Sequence, residues 1–266
     1  MTVLFIDVSD HRKTSMNSKK YLDNIYRWAE TWGMEYNPTK CNTMTIKRGR
    51  TKLNHIYSLN GHPLLEVQEA KYLGITLSNN LKWTSHIQNT VTKANRTLGF
   101  LHRNLRSCPK KLKATAYITL IQPLLEYSCA AWDPYLKGDI QALEKIQRRG
   151  ARFVLNQNKR DYTSISTAIK DLNWPELGER RRQQRLTMMF KVMNGLVAIP
   201  ANVYVSRSTS RTRSTNSVRL DQLRVHTDIY KYSFFPRTIV DWNSLTDNIV
   251  TSPTLVTFKN RLKSHQ

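Results

Sequence analysis

The stretches WAETWGMEYNPTKC (residues 28–41) and KYLGITLSNNLKW (residues 71–83) decide the fold of the first third of the chain. The first stretch ends an amphipathic helix that we predict over residues 16–33, with Gly33 as its left-handed end. Four apolar residues recur on one face at spacings of three and four, and Tyr21 and Trp28 widen that face, so we expect the helix to pack on a sheet. The four are Leu22, Ile25, Ala29 and Trp32.

Three short runs between these landmarks have the composition of β-strands. They cover residues 41–47, 55–60 and 70–77, and an Asn60-Gly61 turn follows the second run. A single helix followed by three runs predicts an α+β arrangement with a small antiparallel sheet, not an alternating βαβ fold.

From Trp83 onward the pattern becomes helical, so the predicted fold is mostly α. A helix capped by Thr84 or Ser85 is predicted, with one clean apolar stripe from Ile87 to Leu105, and a second helix follows Cys108-Pro109. The face opposite the first stripe is basic at Lys93, Arg96, Arg103 and Arg106. In the second helix we expect Leu112, Ala116 and Leu120 to point inward.

The next long helix is predicted over residues 138–155, and it has a basic flank made of Lys145, Arg148, Arg149 and Arg152. Another helix, over residues 176–194, crowds four arginines into its first half, where positive charge opposes the helix dipole, so we expect anionic groups beside it. Residues 206–217 form a basic low-complexity loop. Apolar residues between Phe234 and Leu245, with a helix over residues 255–262, should dock the tail on the helical body.

The charge balance is the outlier in the composition. The chain has 42 Lys and Arg against 19 Asp and Glu, a formal net charge of +23, which favours a polyanionic partner. Nucleic acid is the favoured partner and an anionic membrane surface comes second. We expect no membrane partner, because no apolar run approaches the roughly 18 residues that span a bilayer. The start of the chain does not resemble a secretory signal, and three scattered cysteines fit a reducing compartment, so we expect an intracellular protein, nuclear or cytoplasmic, that is not secreted.

Common catalytic motifs are absent from the sequence, including the Walker loop, HExxH, G-x-S-x-G and paired CxxC. A different set of motifs is present. Leu22-Asp23 with Trp28 and Trp32 matches L-D-x-x-x-x-W-x-x-x-W, and Asn37, Lys40, Cys41 and Met44 match N-x-x-K-C-x-x-M. Leu73-Gly74-Ile75-Thr76-Leu77 matches L-G-V/I-x-I/L, and Leu81, Trp83, His86 and Ile87 match L-x-W-x-x-H-I.

These motifs resemble the end of the palm in reverse transcriptases of non-LTR retrotransposons of the jockey and chicken-repeat type. The segments at residues 143–155, 177–196 and 233–245 are typical of the C-terminal regions of the same elements, so the resemblance covers nearly the whole chain. It implies a palm remnant over residues 1–82, a basic thumb-like helical region over residues 83–200, and a basic loop with a docking tail over residues 201–266.

The resemblance also implies roles for individual residues. Lys40 matches the motif D lysine near the nucleotide triphosphate, although it could equally be a solvated lysine at a strand end. Leu73 and Gly74 match the primer grip, where backbone approaches the primer end; a plain β-bulge at Gly74 is the alternative. The basic faces at Lys93, Arg96 and Arg103 and at Lys145, Arg148, Arg149 and Arg152 would follow duplex phosphates, or would simply be solvated.

The catalytic centre is the main departure from the family pattern. The family's polymerase holds two Mg²⁺ ions on aspartates from two palm motifs. Phe5-Ile6-Asp7-Val8 stands where Phe-Ala-Asp-Asp would, either as a decayed motif or by chance, and Asp7 alone cannot form a two-metal site. We therefore expect no metal site in this chain, with Mg²⁺ needed only by a full-length polymerase, and no activity from the chain by itself.

The resulting hypothesis is a C-terminal reverse-transcriptase fragment that contacts an RNA–DNA duplex through its primer grip and thumb. RNA, DNA or an RNA–DNA hybrid is the expected partner, and the oligomeric state stays open. A non-catalytic nucleic-acid-binding module and a basic helical interaction protein are the alternatives.

Overall fold

A computed structural model describes residues 4–9, 13–37, 40–47, 56–157, 165–208 and 216–265. The chain divides into two units, Met1–His86 and Ile87–Gln266. Helices dominate the second unit and all the strands of the described residues lie in the first, so the mostly helical α+β class is confirmed. None of the helices found in the described ranges combines the length and the hydrophobicity needed to cross a membrane.

The strands are β1 (Leu4–Ser9), β2 (Asn42–Lys47), β3 (Ser58–Leu59), β4 (His62–Pro63), β5 (Leu65–Glu66), β6 (Glu69–Tyr72) and β7 (Ile75–Ser78). The helices are α1 (Lys13–Thr31), α2 (Thr84–Asn104), α3 (Lys110–Leu120), α4 (Gln122–Glu126), α5 (Cys129–Trp132), α6 (Lys137–Leu155), α7 (Ile165–Asp171), α8 (Leu177–Met193), α9 (Ala201–Tyr204), α10 (Asp228–Lys231), α11 (Phe234–Asn243), α12 (Asp247–Val250) and α13 (Leu255–Ser264).

The main sheet of the first unit is parallel, so the prediction of a purely antiparallel sheet was wrong. Its strand order is β1-β2-β5, and β1 pairs with β2 in parallel from Leu4↔Asn42 to Ser9↔Lys47. Parallel neighbours need a long crossover, and the 19-residue helix α1 supplies it. The chain therefore opens with a βαβ unit, which was missed because residues 4–9 were not interpreted as a strand.

Two short antiparallel hairpins complete the first unit. One pairs β3 with β4 around Asn60 and Gly61, whose φ angles of 49° and 75° fit the predicted turn. The other pairs β6 with β7, and Tyr72 faces Ile75 across a turn made of Leu73 and Gly74. Among the described strands, these two hairpins alone have the antiparallel pairing expected from sequence.

Helix α1 packs with fewer of its apolar residues than the sequence predicts. Leu22 is buried against a small cluster that includes Tyr57 and Leu64, and Ala29 is buried too. Trp32, predicted to point inward, is 68% exposed, and Tyr21 and Trp28 are also exposed. Leu22 and Ala29 are seven residues apart on one stripe, and the aromatic residues beside that stripe stay exposed. The helix ends as predicted, because Gly33 has φ 61° and the Met34 amide donates to the Ala29 carbonyl at 2.9 Å.

Within the second unit, the tail packs on the helical body as predicted. Ile239 and Trp242 of α11 and Phe258 of α13 lie in one buried cluster with Leu186 and Met189 of α8. Phe258 stacks on Phe190 with ring centroids 4.5 Å apart. Most of the basic loop over residues 206–217 lies outside the described residues.

Helix α3 turns a different face inward from the one predicted. Leu112 and Leu120 are exposed, while Lys113 and Tyr117 are almost completely buried. Tyr117 stacks on Trp174 with centroids 4.3 Å apart, and it also fits against the backbone of Gly150 in α6. The prediction failed because these partners lie on α6 and in the segment after α7, so the periodicity of α3 alone does not reveal them.

Candidate nucleic-acid interface

Side chains of helices α2 and α6 contact each other in the second unit. Arg149 of α6 donates a hydrogen bond to the side-chain oxygen of Asn95 in α2. Further along both helices, the rings of His102 and Phe153 are 5.9 Å apart. These two contacts bring the basic face of α2 next to the basic flank of α6.

A groove of about 830 Å³ lies between these helices and the start of α3. Four guanidinium-bearing residues line it: Arg103, Arg106, Arg149 and Arg152. None of the described residues that line the groove is acidic. Four guanidinium groups without a carboxylate among them produce a strongly positive potential in a concave site, which favours phosphate oxygens.

The groove also contains a fifth cation, Lys113, which is 1% exposed. Its ammonium donates to the Arg106 carbonyl at 2.8 Å and to the side-chain oxygen of Asn156, and it lies 5.6 Å from the centre of the Phe153 ring. Asn156 ends α6 with φ 57°, a left-handed conformation that asparagine tolerates. Lys113 therefore links α3 to the end of α6 and adds a fifth positive charge to the groove lining.

The groove is open on the α2 side because residue 99 is glycine. A β-carbon built there would meet only the Arg103 guanidinium, at 3.6 Å. The Arg103 side chain therefore lies along the helix over Gly99. A large side chain at this position would fill the groove without removing any charge.

The structure unites only part of the predicted basic set. Arg103, Arg149 and Arg152 line the same groove. Lys93, Arg96 and Lys145 are exposed on the same two helices but are not among its lining residues, and Arg148 is half-buried. Arg106, Lys113 and Asn156 also line the groove but were not predicted as site residues. Helical phase had placed Arg106 on the basic face, whereas no local pattern marks the other two.

The arginines of α8 belong to a different structure. Arg181 and Arg185 each donate to one oxygen of the Asp133 carboxylate at 2.8 Å, and Arg237 approaches that carboxylate at 3.2 Å. Arg185 also reaches Asp241 at 2.8 Å. This buried network supplies part of the anionic compensation that the sequence predicts for the helix.

Two further carboxylates complete that compensation. The Glu126 carboxylate accepts two hydrogen bonds from the Arg180 guanidinium, one on each oxygen. Glu144 of α6 accepts the Gly178 amide at 2.9 Å, so it lies at the N-terminal end of α8, where a negative charge is favourable. Burial raises the pKa of the Glu144 carboxyl, and hydrogen bonds from the Gly178 and Leu177 amides oppose that rise. The α8 arginines are thus neutralised within the protein and are not part of the groove.

In the first unit, the segment that matches the primer grip is a two-residue turn and not a β-bulge. Leu73 and Gly74 connect β6 to β7 with φ angles of 46° and 84°. Both central residues of a type I′ turn need positive φ, which glycine adopts easily and leucine does not. Leu73 is nevertheless held there with 72% of its surface exposed.

The structure does not bring the two residues with predicted catalytic roles together. Lys40 is exposed and comes before β2, with its amide bonded to the Asn37 carbonyl at 3.0 Å. Asp7 lies within β1 opposite Thr45, further along the parallel pair. Within the described part of the chain, no group of three or more His, Cys, Asp or Glu residues is placed to hold a metal ion.

No family model and no solved structure matches the chain. Among curated proteins, it is 28% identical over 166 residues to the RNA-directed DNA polymerase from mobile element jockey of Drosophila melanogaster, a match that covers 61% of this chain and 18% of the relative. It is 27% identical over 167 residues, or 57% of this chain and 18% of the relative, to the probable RNA-directed DNA polymerase from transposon X-element of the same organism. The corresponding polymerase from transposon BS is 24% identical over 159 residues, or 58% of this chain and 17% of the relative. The matched part therefore spans less than a fifth of each relative. The chain is homologous to the RNA-directed DNA polymerases of non-LTR retrotransposons, and it fits as part of such a reverse transcriptase.

Proposed function

We propose that this chain is the part of a non-LTR reverse transcriptase that holds the RNA–DNA duplex through the phosphates of its backbone. The observation that supports this most directly is the groove between α2 and α6, where four arginines converge and no acidic residue is found among the described lining. The proposal assigns the groove to the thumb and the β6–β7 turn to the primer grip.

The distribution of charge supports the groove over other basic surfaces. The arginines of α8 are matched by carboxylates such as Asp133 and Glu126, so they contribute little attraction for an external polyanion. The arginines of the groove have no such partners among its described lining. Arginine also suits phosphate better than lysine, because its planar fork can donate two parallel hydrogen bonds.

The turn at Leu73 and Gly74 supports the primer-grip assignment through its conformation. A left-handed leucine costs about 1–2 kcal/mol relative to glycine. Backbone strain of this kind is often retained at functional sites, where the chain must adopt one particular shape. In this proposal the exposed turn presses its backbone against the end of the primer.

The chain by itself is proposed to be inactive as a polymerase. A two-metal site needs several carboxylates, and Asp7 is the single candidate that the family motif offers here. Mg²⁺ would be needed by a full-length polymerase, in which Lys40 would act as a cation near the departing pyrophosphate. Primer extension with Mg²⁺ and nucleotides should give no product, and extension by this chain would refute the proposal of inactivity.

The binding test compares the affinity for a fluorescein-labelled RNA–DNA hybrid across a salt series. Arg149→Gln/Arg152→Gln should weaken binding and reduce the slope of log K against log salt concentration by about one for each phosphate that is no longer neutralised. Arg224→Gln/Lys263→Gln removes the same charge from exposed positions outside the groove lining and should change the slope much less.

A steric variant separates the groove from general charge attraction. Gly99→Leu retains every arginine, places its side chain where only Arg103 is close, and replaces a helix-weakening residue. It should weaken hybrid binding while the helix content measured by circular dichroism stays unchanged. Equal affinities for Gly99→Leu and the unaltered chain, together with a flat salt dependence, would contradict the proposal.

The alternative of a nucleic-acid-binding module without any role at a primer end makes a different prediction. Such a module should bind a blunt hybrid and a hybrid with a recessed 3′ end equally well. A reverse-transcriptase fragment with a working primer grip should prefer the recessed end and lose that preference in a Leu73→Gly/Gly74→Ala variant.

A further inference from the structure

Phe100 is on the outermost face of α2, away from the core. Its side chain is 54% exposed, whereas Leu98 and Leu101 on the same helix are buried. At 100° per residue, Phe100 is turned about 160° from Leu98, so it points nearly opposite to the buried stripe. Single exposed apolar residues are common on protein surfaces, so exposure alone gives Phe100 no function.

The neighbours of Phe100 distinguish it from other exposed apolar residues. Lys93, Arg96 and Arg103 are all exposed, and by helical geometry they lie within about 60° of Phe100 around the axis. Arg96 is about 6 Å before Phe100 along the axis, and Arg103 is about 4.5 Å beyond it. The sequence of α2 contains no acidic residue. An accessible aromatic ring thus shares its helix face with three cations, and the same helix carries no carboxylate.

We propose that Phe100 is a stacking site for an unpaired nucleobase, and that Arg96 and Arg103 hold the phosphates on either side of that nucleotide. The ligand is a single-stranded RNA or DNA segment that continues from a duplex held in the adjoining groove. Arg103 belongs to both surfaces, because it lines the groove and flanks Phe100. The inference rests on the proposed function, since the groove supplies the duplex from which the single strand emerges.

The chemistry of this surface suits a base better than a protein or a lipid ligand. A base offers a flat π-face to the ring and a phosphate at each end, which matches one aromatic residue between two guanidinium groups. Stacking of a base on an aromatic side chain tolerates any sequence, because every base has a π-face. The site should therefore bind unpaired nucleotides of any sequence.

The test uses the full chain with two fluorescein-labelled RNA–DNA hybrids, one blunt and one extended by a few unpaired nucleotides. The unaltered chain should bind the extended hybrid more tightly. Phe100→Ala should remove that advantage, weakening the extended hybrid by about 5- to 150-fold per stacked base. Phe100→Leu should behave like Phe100→Ala, because it is apolar but cannot stack, whereas Phe100→Trp should retain the advantage.

A spectroscopic measurement reports the stacking directly. A 2-aminopurine base in the overhang should be quenched by the unaltered chain and by Phe100→Trp, and should stay bright with Phe100→Leu. Leu112→Ala serves as the control, because Leu112 is a similarly exposed apolar residue on α3 (48% exposed) and is not among the groove lining. It should change neither the affinity nor the quenching.

The outcomes separate this inference from the proposed function. If Phe100→Ala weakens blunt and extended hybrids equally, the ring contacts duplex and not an unpaired base, and the inference is wrong. If Phe100→Ala changes the affinity for neither hybrid while Arg149→Gln/Arg152→Gln weakens binding of both, the proposal for the groove is supported and the stacking site is refuted. If none of these variants changes binding, both proposals are refuted.

Discussion

Replacing Asp133 by asparagine tests whether the arginines of α8 are internal structural residues. Asp133 follows α5 and accepts from Arg181 and Arg185 at 2.8 Å on each of its oxygens, with Arg237 at 3.2 Å. The substitution preserves the size of the side chain but removes its negative charge. Three guanidinium groups would then face a neutral amide, and Asp241, which contacts Arg185, would be the main carboxylate left to them.

The expected loss of stability follows from the burial of the pairs. The side chain of Asp133 is 4% exposed, that of Arg181 1% and that of Arg185 4%, so water cannot replace the missing charge. Removing one partner of a buried ion pair costs about 3–5 kcal/mol, because the other charge stays buried and unpaired. A domain is stable by only about 5–15 kcal/mol, so this loss is a large fraction of the total.

Urea denaturation followed by tryptophan fluorescence measures this loss, and Trp132 provides a fully buried reporter beside the substituted residue. Glu179→Gln is the control, because its pair with Arg182 is about 30% exposed and should contribute less than about 1 kcal/mol. Asp133→Asn combined with Arg237→Gln should be less destabilising than the two single changes added together. A loss below about 1 kcal/mol for Asp133→Asn would refute the internal-network reasoning.

Three further substitutions test particular contacts. Gly150→Ala places a β-carbon 2.2 Å from the Tyr117 ring, so urea denaturation should show a net loss despite the roughly 1 kcal/mol gain in helix propensity, whereas Gly138→Ala meets nothing within 4 Å and should stabilise α6. Burial lowers the pKa of His86, which accepts a β7 amide through Nδ1, so its stabilising effect should be present above pH about 6.5 and be lost as the pH falls through the folded-state pKa. Urea midpoints at several pH values should follow this pattern in the unaltered chain and lose it in His86→Gln. Leu73→Asn should stabilise the turn by up to about 1–2 kcal/mol in urea denaturation and should keep the preference for a recessed primer end, because the backbone conformation of the turn is retained; loss of that preference would contradict the proposed backbone contact.

Helices with a single apolar stripe were predictable from sequence. Helix α2 spans Thr84–Asn104, so it begins at one of the two predicted cap residues, Thr84 and Ser85, and ends just before Leu105, the last residue of the predicted stripe. Helix α3 was predicted with the wrong face inward. Its buried residues, Lys113 and Tyr117, find their partners on α6 and beyond, and amphipathic or aromatic side chains bury when such partners exist.

The basic residues of the candidate site were predictable from sequence, but the groove that they form was not. Helical phase alone places Arg149 and Arg152 on one flank of α6 and Arg103 on the outer side of α2. Their convergence on one groove depends on how α2 and α6 pack, and the contacts between the two helices, such as the hydrogen bond from Arg149 to Asn95, have no signature in either helix. The parallel pairing of β1 with β2 was missed because residues 4–9 were not interpreted as a strand, which left α1 without a strand before it.

The density of arginine in a sequence is therefore a weak guide to where this chain offers positive charge to an external phosphate. The densest run of arginines is in α8. It forms ion pairs with Asp133, Glu126 and Glu144 inside the fold. Helix α6 contributes charged residues to both places. Glu144, in its first half, accepts a hydrogen bond from an amide at the start of α8, whereas Arg149 and Arg152, near its end, line the groove. Because the carboxylates of those ion pairs lie on the α8 side, the arginines of the groove keep positive charge that no described lining residue neutralises. That charge is next to the exposed face of α2 that carries Phe100, so an attraction for phosphate and a ring able to stack on a base share one helix.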